Sequence, residues 1–154
     1  MVKHFLSIVL IVGVGVCFYI ATAYEVDFIR KFVMLSSDVT TDDEFTEVFT
    51  RWGKYIVASS VATALIWYIV GWFYKINDWR IISKMKTVWY ALFLLPILVV
   101  GVALYKAPVI EKGTAWVVIF YITNSLILFY FSTFLLSPPS FKYIPIGACK
   151  ARRW

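Results

Sequence analysis

Acidic residues gather in the stretch 38–47, where their type and spacing could hold a metal ion: Asp38, Asp42, Asp43, Glu44 and Glu47. A calcium-binding EF-hand loop needs oxygen ligands at alternating positions, a glycine at its sharp turn and a glutamate at position twelve. The stretch lacks that glycine and that spacing. Thr41 and Glu44 instead match a capping box, with acids near the positive end of a helix dipole. We interpret the cluster as a solvated helix start or a surface that docks a partner.

Other residues that commonly do chemistry are sparse. The only histidine is His4, so ligation of haem by paired histidines and histidine acid–base chemistry lack their residues. Cys17 and Cys149 fall at different levels of the predicted topology, which argues against a disulfide between them. The chain has no Gly-rich phosphate loop and no Ser/His/Asp set. We expect neither enzymatic activity nor a bound cofactor or metal.

The composition points to a membrane. Hydrophobic residues make up 62% of the 154 residues and charged residues 16%, against about 45–50% and 25% in soluble domains. Four stretches without Asp, Glu, Lys or Arg are each long enough to cross a bilayer. They predict an all-α integral membrane protein with transmembrane helices at residues 5–24, 55–74, 88–106 and 114–136. Lys3 and Ala21-Thr22-Ala23 also resemble a signal peptide, but we interpret the first segment as an anchor.

The distribution of Lys and Arg indicates an orientation. Nine of these bases lie on the side of the two termini and six on the side of the connections 25–54 and 106–113. By the positive-inside rule, both termini are predicted to face the cytoplasm. The small size and short loops suggest a bacterial plasma (inner) membrane.

The longest connection, residues 25–54, has a helical pattern of its own. Phe45, Val48, Phe49 and Trp52 recur at i, i+3, i+4 and i+7. This pattern predicts a helix that continues through Gly53 into the second transmembrane segment. We expect a helical hairpin that projects beyond the outer interface. Alternatively, residues 26–35 form an interfacial helix that lies flat on the membrane.

Small and polar residues occur within the second and fourth segments. The candidates are Ala58, Ser59, Ala62, Thr63, Asn124 and Ser125. Small residues four apart let helix backbones approach closely, and hydroxyl or amide groups bond across helices. Asn124 must face protein or water, since an unsatisfied amide against lipid is costly. These residues either pack helices together or line a narrow pore between copies.

The last segment, residues 138–154, is a basic tail that follows a transmembrane domain of residues 1–137. Its candidate docking residues are Lys142, Tyr143, Lys150, Arg152, Arg153 and Trp154. Bases interleaved with aromatic residues suit anionic lipid headgroups or a groove on a cytoplasmic partner. The tail could also serve only to enforce the topology. Cys149 is either a free thiol or an acylation site. No nucleic-acid binding is expected, because so short a cluster has no recognisable fold.

Three functional hypotheses fit these patterns. The first is a non-catalytic subunit of a larger membrane assembly, such as a secretion, defence or envelope complex. It would dock other membrane proteins through the acidic outer hairpin and the basic tail. The second is a homo-oligomeric channel or membrane-permeabilising effector. The third is a small-substrate carrier or an accessory subunit of a membrane enzyme. The charge-free segments offer this hypothesis no ionisable side chain within the membrane.

Overall fold

A computed structural model describes residues 2–35, 41–73, 79–107 and 110–136. The elements are α1 (Val2–Arg30), β1 (Met34–Leu35), α2 (Asp42–Phe73), α3 (Trp79–Tyr105), β2 (Ile110–Lys112), α4 (Thr114–Ser125), a π-helical segment (Leu126–Phe131) and α5 (Ser132–Leu136). Four stretches are long and apolar enough to span a membrane: Phe5–Arg30, Asp42–Gly71, Lys84–Tyr105 and Thr114–Phe134. The prediction of a helical protein with four such helices is confirmed.

The start of α2 follows from its local sequence. The backbone N–H of Glu44 donates to Oγ1 of Thr41 at 3.3 Å, as the capping pattern predicts. One turn later the Arg51 guanidinium pairs with the Glu47 carboxylate at the i, i+4 spacing. α2 then runs without a break through Gly53 to Phe73. The predicted continuity of this helix is confirmed.

Two glycines let α1 and α2 pack closely. A methyl group added at Gly15 would overlap the Val61 side chain, and one added at Gly53 would lie 3.2 Å from Cγ2 of Thr22. Because residue 15 meets residue 61 and residue 22 meets residue 53, the two helices are antiparallel. They therefore form a hairpin whose backbones approach closely at these two positions.

A short β pair joins the two connections. Met34 of β1 pairs with Lys112 of β2 in antiparallel register, so the α1–α2 and α3–α4 connections meet at one end of the bundle, here called the connection end. Gly113 follows with φ 95°, and any side chain there would overlap the carbonyl oxygen of Phe32. The α1–α2 hairpin does extend past residues 24 and 55. Met34 and Leu35, which follow α1, are tied to the α3–α4 connection. Residues 26–30 continue α1 instead of forming a separate interfacial helix.

The buried side chains form two groups along the bundle. The group at the connection end comprises Val26, Ile29, Val33, Phe45, Phe49, Ile56, Val100, Ala103, Val117 and Tyr121. The group at the opposite, terminal end comprises Ile11, Ala64, Trp67, Tyr68, Met85, Trp89 and Phe129. In the second group the Trp89 indole N–H donates to Oγ1 of Thr133 at 3.0 Å, which links α3 to α5. All four candidate spans thus contribute to a shared core.

We expect Gly15→Ala to destabilise the bundle by about 1 kcal/mol or more relative to Gly13→Ala. A methyl group at residue 15 overlaps Val61, whereas a methyl group at residue 13 meets nothing within 4 Å. Both changes gain the same helix propensity, so their difference isolates packing between α1 and α2. Unfolding titrations of the purified chain in mixed micelles measure that difference. Equal stabilities would mean that Val61 moves aside at no cost and that the close approach is not needed.

Candidate functional site

A polar contact between α1 and α4 lies inside the bundle. Nδ2 of Asn124 donates to Oε2 of Glu25 at 3.2 Å. Asn124 is 5% exposed, and Glu25 is half-buried. Asn124 was predicted to face protein or water, and in the structure it faces protein. Its partner was not predicted, because Glu25 was assigned to the outer connection.

The depth of this contact follows from α4. Asn124 lies ten residues from Thr114, the first residue of α4, which is about 15 Å along the helix axis. That distance is half of a hydrocarbon core about 30 Å thick. The Glu25 carboxylate thus reaches the middle of the apolar stretch of α4. A signal for this position exists in the sequence, since Glu25 borders the stripe of buried residues Thr22, Val26 and Ile29.

Tyr121 forms a second polar link near the same level. Its hydroxyl donates to the carbonyl oxygen of Phe49 at 3.1 Å, and its ring stacks on Phe49 with centroids 5.1 Å apart. Gly53 leaves room for the ring, which passes 4.0 Å from the position of an added Cβ. We call Glu25, Asn124, Phe49 and Tyr121 the polar layer. It ties α4 to both helices of the α1–α2 hairpin.

The π-helical segment begins two residues after Asn124. A π-helix inserts a residue relative to an α-helix and often accompanies functional positions. Within this segment Leu128 and Phe129, adjacent in sequence, are both 0% exposed. The Ser125 hydroxyl just before it is buried and has no hydrogen-bond partner within the described ranges. No feature of the sequence predicted this segment.

The residues predicted to pack helices or line a pore separate into two groups. Thr63, Asn124 and Ser125 are buried within the chain, and Oγ1 of Thr63 donates to the carbonyl oxygens of Ser59 at 2.9 Å and of Ser60 at 3.0 Å. The Ser59 hydroxyl likewise bonds its own helix, at the carbonyl oxygen of Ile56. The hydroxyl groups of Thr63 and Ser59 therefore form hydrogen bonds within α2 rather than with another helix.

Ala58 and Ala62 are exposed instead and line an open groove between α1 and α2. The groove has a volume of about 270 Å³, and its walls include Val12, Val16, Tyr19, Ala58, Ala62 and Leu65. The small side chains that were expected to pack within the bundle thus leave a recess on its surface. The close approach of the helices occurs at Gly15 and Gly53, which the sequence interpretation did not single out.

The predicted docking residues that the structure describes lie on the first turns of α2. Asp42, Asp43, Glu44 and Glu47 are all exposed. Asp42 pairs with Arg30 of α1, and Glu47 pairs with Arg51. The surface is therefore of mixed charge rather than purely acidic. The other predicted docking residues lie outside the described residues: Asp38, Lys142, Tyr143, Lys150, Arg152, Arg153 and Trp154.

Several contacts fix the height of the α1–α2 hairpin against α3 and α4. They join Met34 to Lys112, Phe32 to Trp116, Glu25 to Asn124 and Phe49 to Tyr121. α3 follows the same register, since Val100 and Ala103 share a core with Val117. The last turns of α1 and the first turns of α2 therefore run beside the first half of α4 and the last turns of α3.

At this common height the two helix pairs expose different surfaces. The α1–α2 hairpin exposes charged side chains, here called the charged face, alongside the exposed aromatic residues Tyr24 (75%) and Phe28 (54%). The charged face comprises Asp27, Arg30, Lys31, Asp42, Asp43, Glu44, Glu47 and Arg51. α3 and α4 expose apolar and aromatic side chains, here called the apolar face: Val102 (48% exposed), Tyr105 (83%), Trp116 (48%) and Ile119 (54%). A uniform surrounding cannot suit both faces, because one favours water or charge and the other favours lipid or an apolar partner.

Chemically, the site offers one carboxylate, one amide and hydroxyl groups. Among the residues that the structure describes, no three His, Cys, Asp or Glu side chains come together as metal ligands would. No protein-family model, curated protein or solved structure matches the chain. The arrangement itself therefore carries the functional interpretation.

We expect Asn124→Leu to destabilise the fold by about 1 kcal/mol, because it leaves the half-buried Glu25 carboxylate without its donor. Thr123→Leu, on the exposed side of the same helix, is the matched control and should change stability little. A double-mutant cycle with Glu25→Gln and Asn124→Leu measures the coupling between the two side chains. Strictly additive effects would show that the contact contributes no stability.

Proposed function

We propose that this chain is a non-catalytic, multi-pass subunit of a larger membrane assembly, such as a secretion, defence or envelope complex. The observation that carries the proposal is the charged face and the apolar face at one height of the bundle. Because the two faces lie at one height, a bilayer surrounds both of them or neither, and in each case one face is left in an unfavourable environment. A protein partner resolves the conflict.

Consider a bilayer that covers the whole apolar stretch of α4. It would then surround the Glu47 and Arg51 side chains of the charged face, and charged side chains within the hydrocarbon core are costly even when they are paired. Consider next a bilayer that ends at Lys54, the first charged residue beyond the apolar part of α2. The apolar face, with Tyr105 83% exposed, would then stand in water. Tilting two packed helix pairs reduces this mismatch but does not remove it.

The mixed charge of the charged face suits a specific partner. Paired and unpaired acids and bases at fixed positions favour complementary charges and reject others, which gives specificity more than affinity. The basic tail supplies a second docking region in this proposal. The proposal also keeps both termini in the cytoplasm and the chain in a bacterial inner membrane, on the distribution of Lys and Arg.

The homo-oligomeric channel draws less support from the geometry. Thr63, Asn124 and Ser125 are buried inside a single chain, so they line a path between copies only if the bundle rearranges. The channel hypothesis predicts conductance in planar bilayers that Ser59→Leu or Asn124→Leu alters. The third hypothesis is a carrier or an accessory subunit of a membrane enzyme. Glu25 supports it, since ionisable groups at membrane depth are commonly functional.

Gentle extraction of the tagged chain from its native membranes into nanodiscs tests the proposal. We expect unrelated membrane proteins to co-purify in a fixed ratio, and we expect that ratio to fall at least fivefold when Glu47 and Arg51 are exchanged (Glu47→Arg with Arg51→Glu). The exchange keeps an ion pair and the net charge, so it changes helix stability by only about a few tenths of a kcal/mol while the pattern presented to a partner is reversed.

Lys106→Gln serves as the matched control, because Lys106 is a charged residue outside the charged face. A nanodisc that holds a ring of this chain alone would favour the channel instead. If the exchange variant and a variant that lacks residues 141–154 both kept every partner at the original ratio, the proposed docking surfaces would be wrong.

A further inference from the structure

We propose that the groove between α1 and α2 binds an acyl chain of an anionic phospholipid whose phosphate contacts the Lys54 ammonium group. The inference rests on the groove and on one cation at its rim. It stands whether or not the chain belongs to a larger assembly.

The groove is a recess that the chain does not fill itself. Its walls are apolar, and Ala58 and Ala62 keep its floor low because neither side chain extends beyond Cβ. Gly15 brings α1 against Val61, which closes the bottom of the groove. The result is an open apolar channel about 270 Å³ in volume along the surface of a membrane-spanning helix pair.

The dimensions favour a hydrocarbon chain over a helix. From Val57 to Leu65 the groove follows α2 for about 12 Å, slightly less than one leaflet of a hydrocarbon core about 30 Å thick. A volume of about 270 Å³ over that length means that the groove is only a few ångströms wide. A helix with its side chains is about 10–12 Å across. A partner helix could rest on the groove but could not enter it.

Lys54 marks the end of the groove nearest the connection end. Its Nζ lies 5.1 Å from the centroid of the Tyr19 ring, and Tyr19 is itself part of the wall. Arg30 and Arg51 pair with Asp42 and Glu47. In the described part of the chain no ion pair involves Lys54. Its positive charge is therefore available to a phosphate at the level where the apolar wall ends.

The charge selects among lipids. A zwitterionic headgroup carries its own ammonium beside the phosphate, whereas an anionic headgroup offers a net negative charge to Lys54. One Lys near an anionic surface contributes a preference of about fivefold. The expected ligand is therefore an anionic phospholipid such as phosphatidylglycerol, with one acyl chain along Val16, Ala58 and Ala62.

Native mass spectrometry of the purified full-length chain tests the site, with phosphatidylglycerol and phosphatidylcholine of identical acyl chains as probes. We expect one tightly retained phosphatidylglycerol per chain. Lys54→Gln should lower the preference for phosphatidylglycerol about fivefold, and Ala62→Phe should abolish retention of both lipids by filling the groove.

Two matched controls separate the site from general effects. Lys106 also lies over a tyrosine ring, with Nζ 5.5 Å from the centroid of Tyr105, but it does not border the groove between α1 and α2, so Lys106→Gln should leave the preference unchanged. Ala91 is exposed on α3, so Ala91→Phe adds the same bulk elsewhere. Circular dichroism of each variant establishes that the helices persist.

Equal retention of both lipids by the unchanged chain, or equal losses in the groove variants and their controls, would overturn the proposal in favour of non-specific annular lipid. A shift from dimer to monomer in Ala62→Phe, without loss of lipid, would overturn it in favour of contact between two copies. Lys54→Gln tests the charge argument by itself, since it removes the positive charge of this half-buried side chain without adding bulk to the groove.

Discussion

The axial register between the α1–α2 hairpin and the α3–α4 hairpin is the constraint on which the other features depend. β1 pairs with β2 at the connection end, and Gly113 allows that approach because it adopts φ 95° without a side chain. One layer deeper, Asn124 bonds Glu25 across the bundle. A different register would separate the charged face from the apolar face in height, and the conflict between them would disappear.

The charged face and the lipid groove share one side of α2. Glu47, Lys54, Val61 and Leu65 follow one another at spacings of seven, seven and four residues, which keeps them on the same helix face. The charged half of that face is suited to a protein partner, and the apolar half is suited to lipid. Lys54 lies at their boundary. A partner bound to the charged face would therefore adjoin a lipid in the groove, and both could contribute to one interface.

Packing in the bundle relies on small residues and local hydrogen bonds more than on long-range polar contacts. Gly15 and Gly53 bring α1 and α2 together, while Thr63 and Ser59 bond within their own helix. In a membrane the apolar effect that drives soluble folding is weak between helices, so shape and close contact dominate. The contacts of Asn124 with Glu25, Tyr121 with Phe49 and Trp89 with Thr133 are exceptions, and they therefore distinguish one arrangement of the helices from its alternatives.

Local patterns in the sequence were sufficient to predict the four apolar helices, the cap of Thr41 at the start of α2, and the continuation of α2 through Gly53. Each depends on residues within a few turns of one another, where periodicity and helix capping act directly. Tertiary structure alone decided that Glu25 meets Asn124, that Ala58 and Ala62 line an open groove, and that β1 pairs with β2. These contacts join positions as far as 99 residues apart, and they depend on how each helix is rotated and shifted against its neighbours, which a local pattern does not encode.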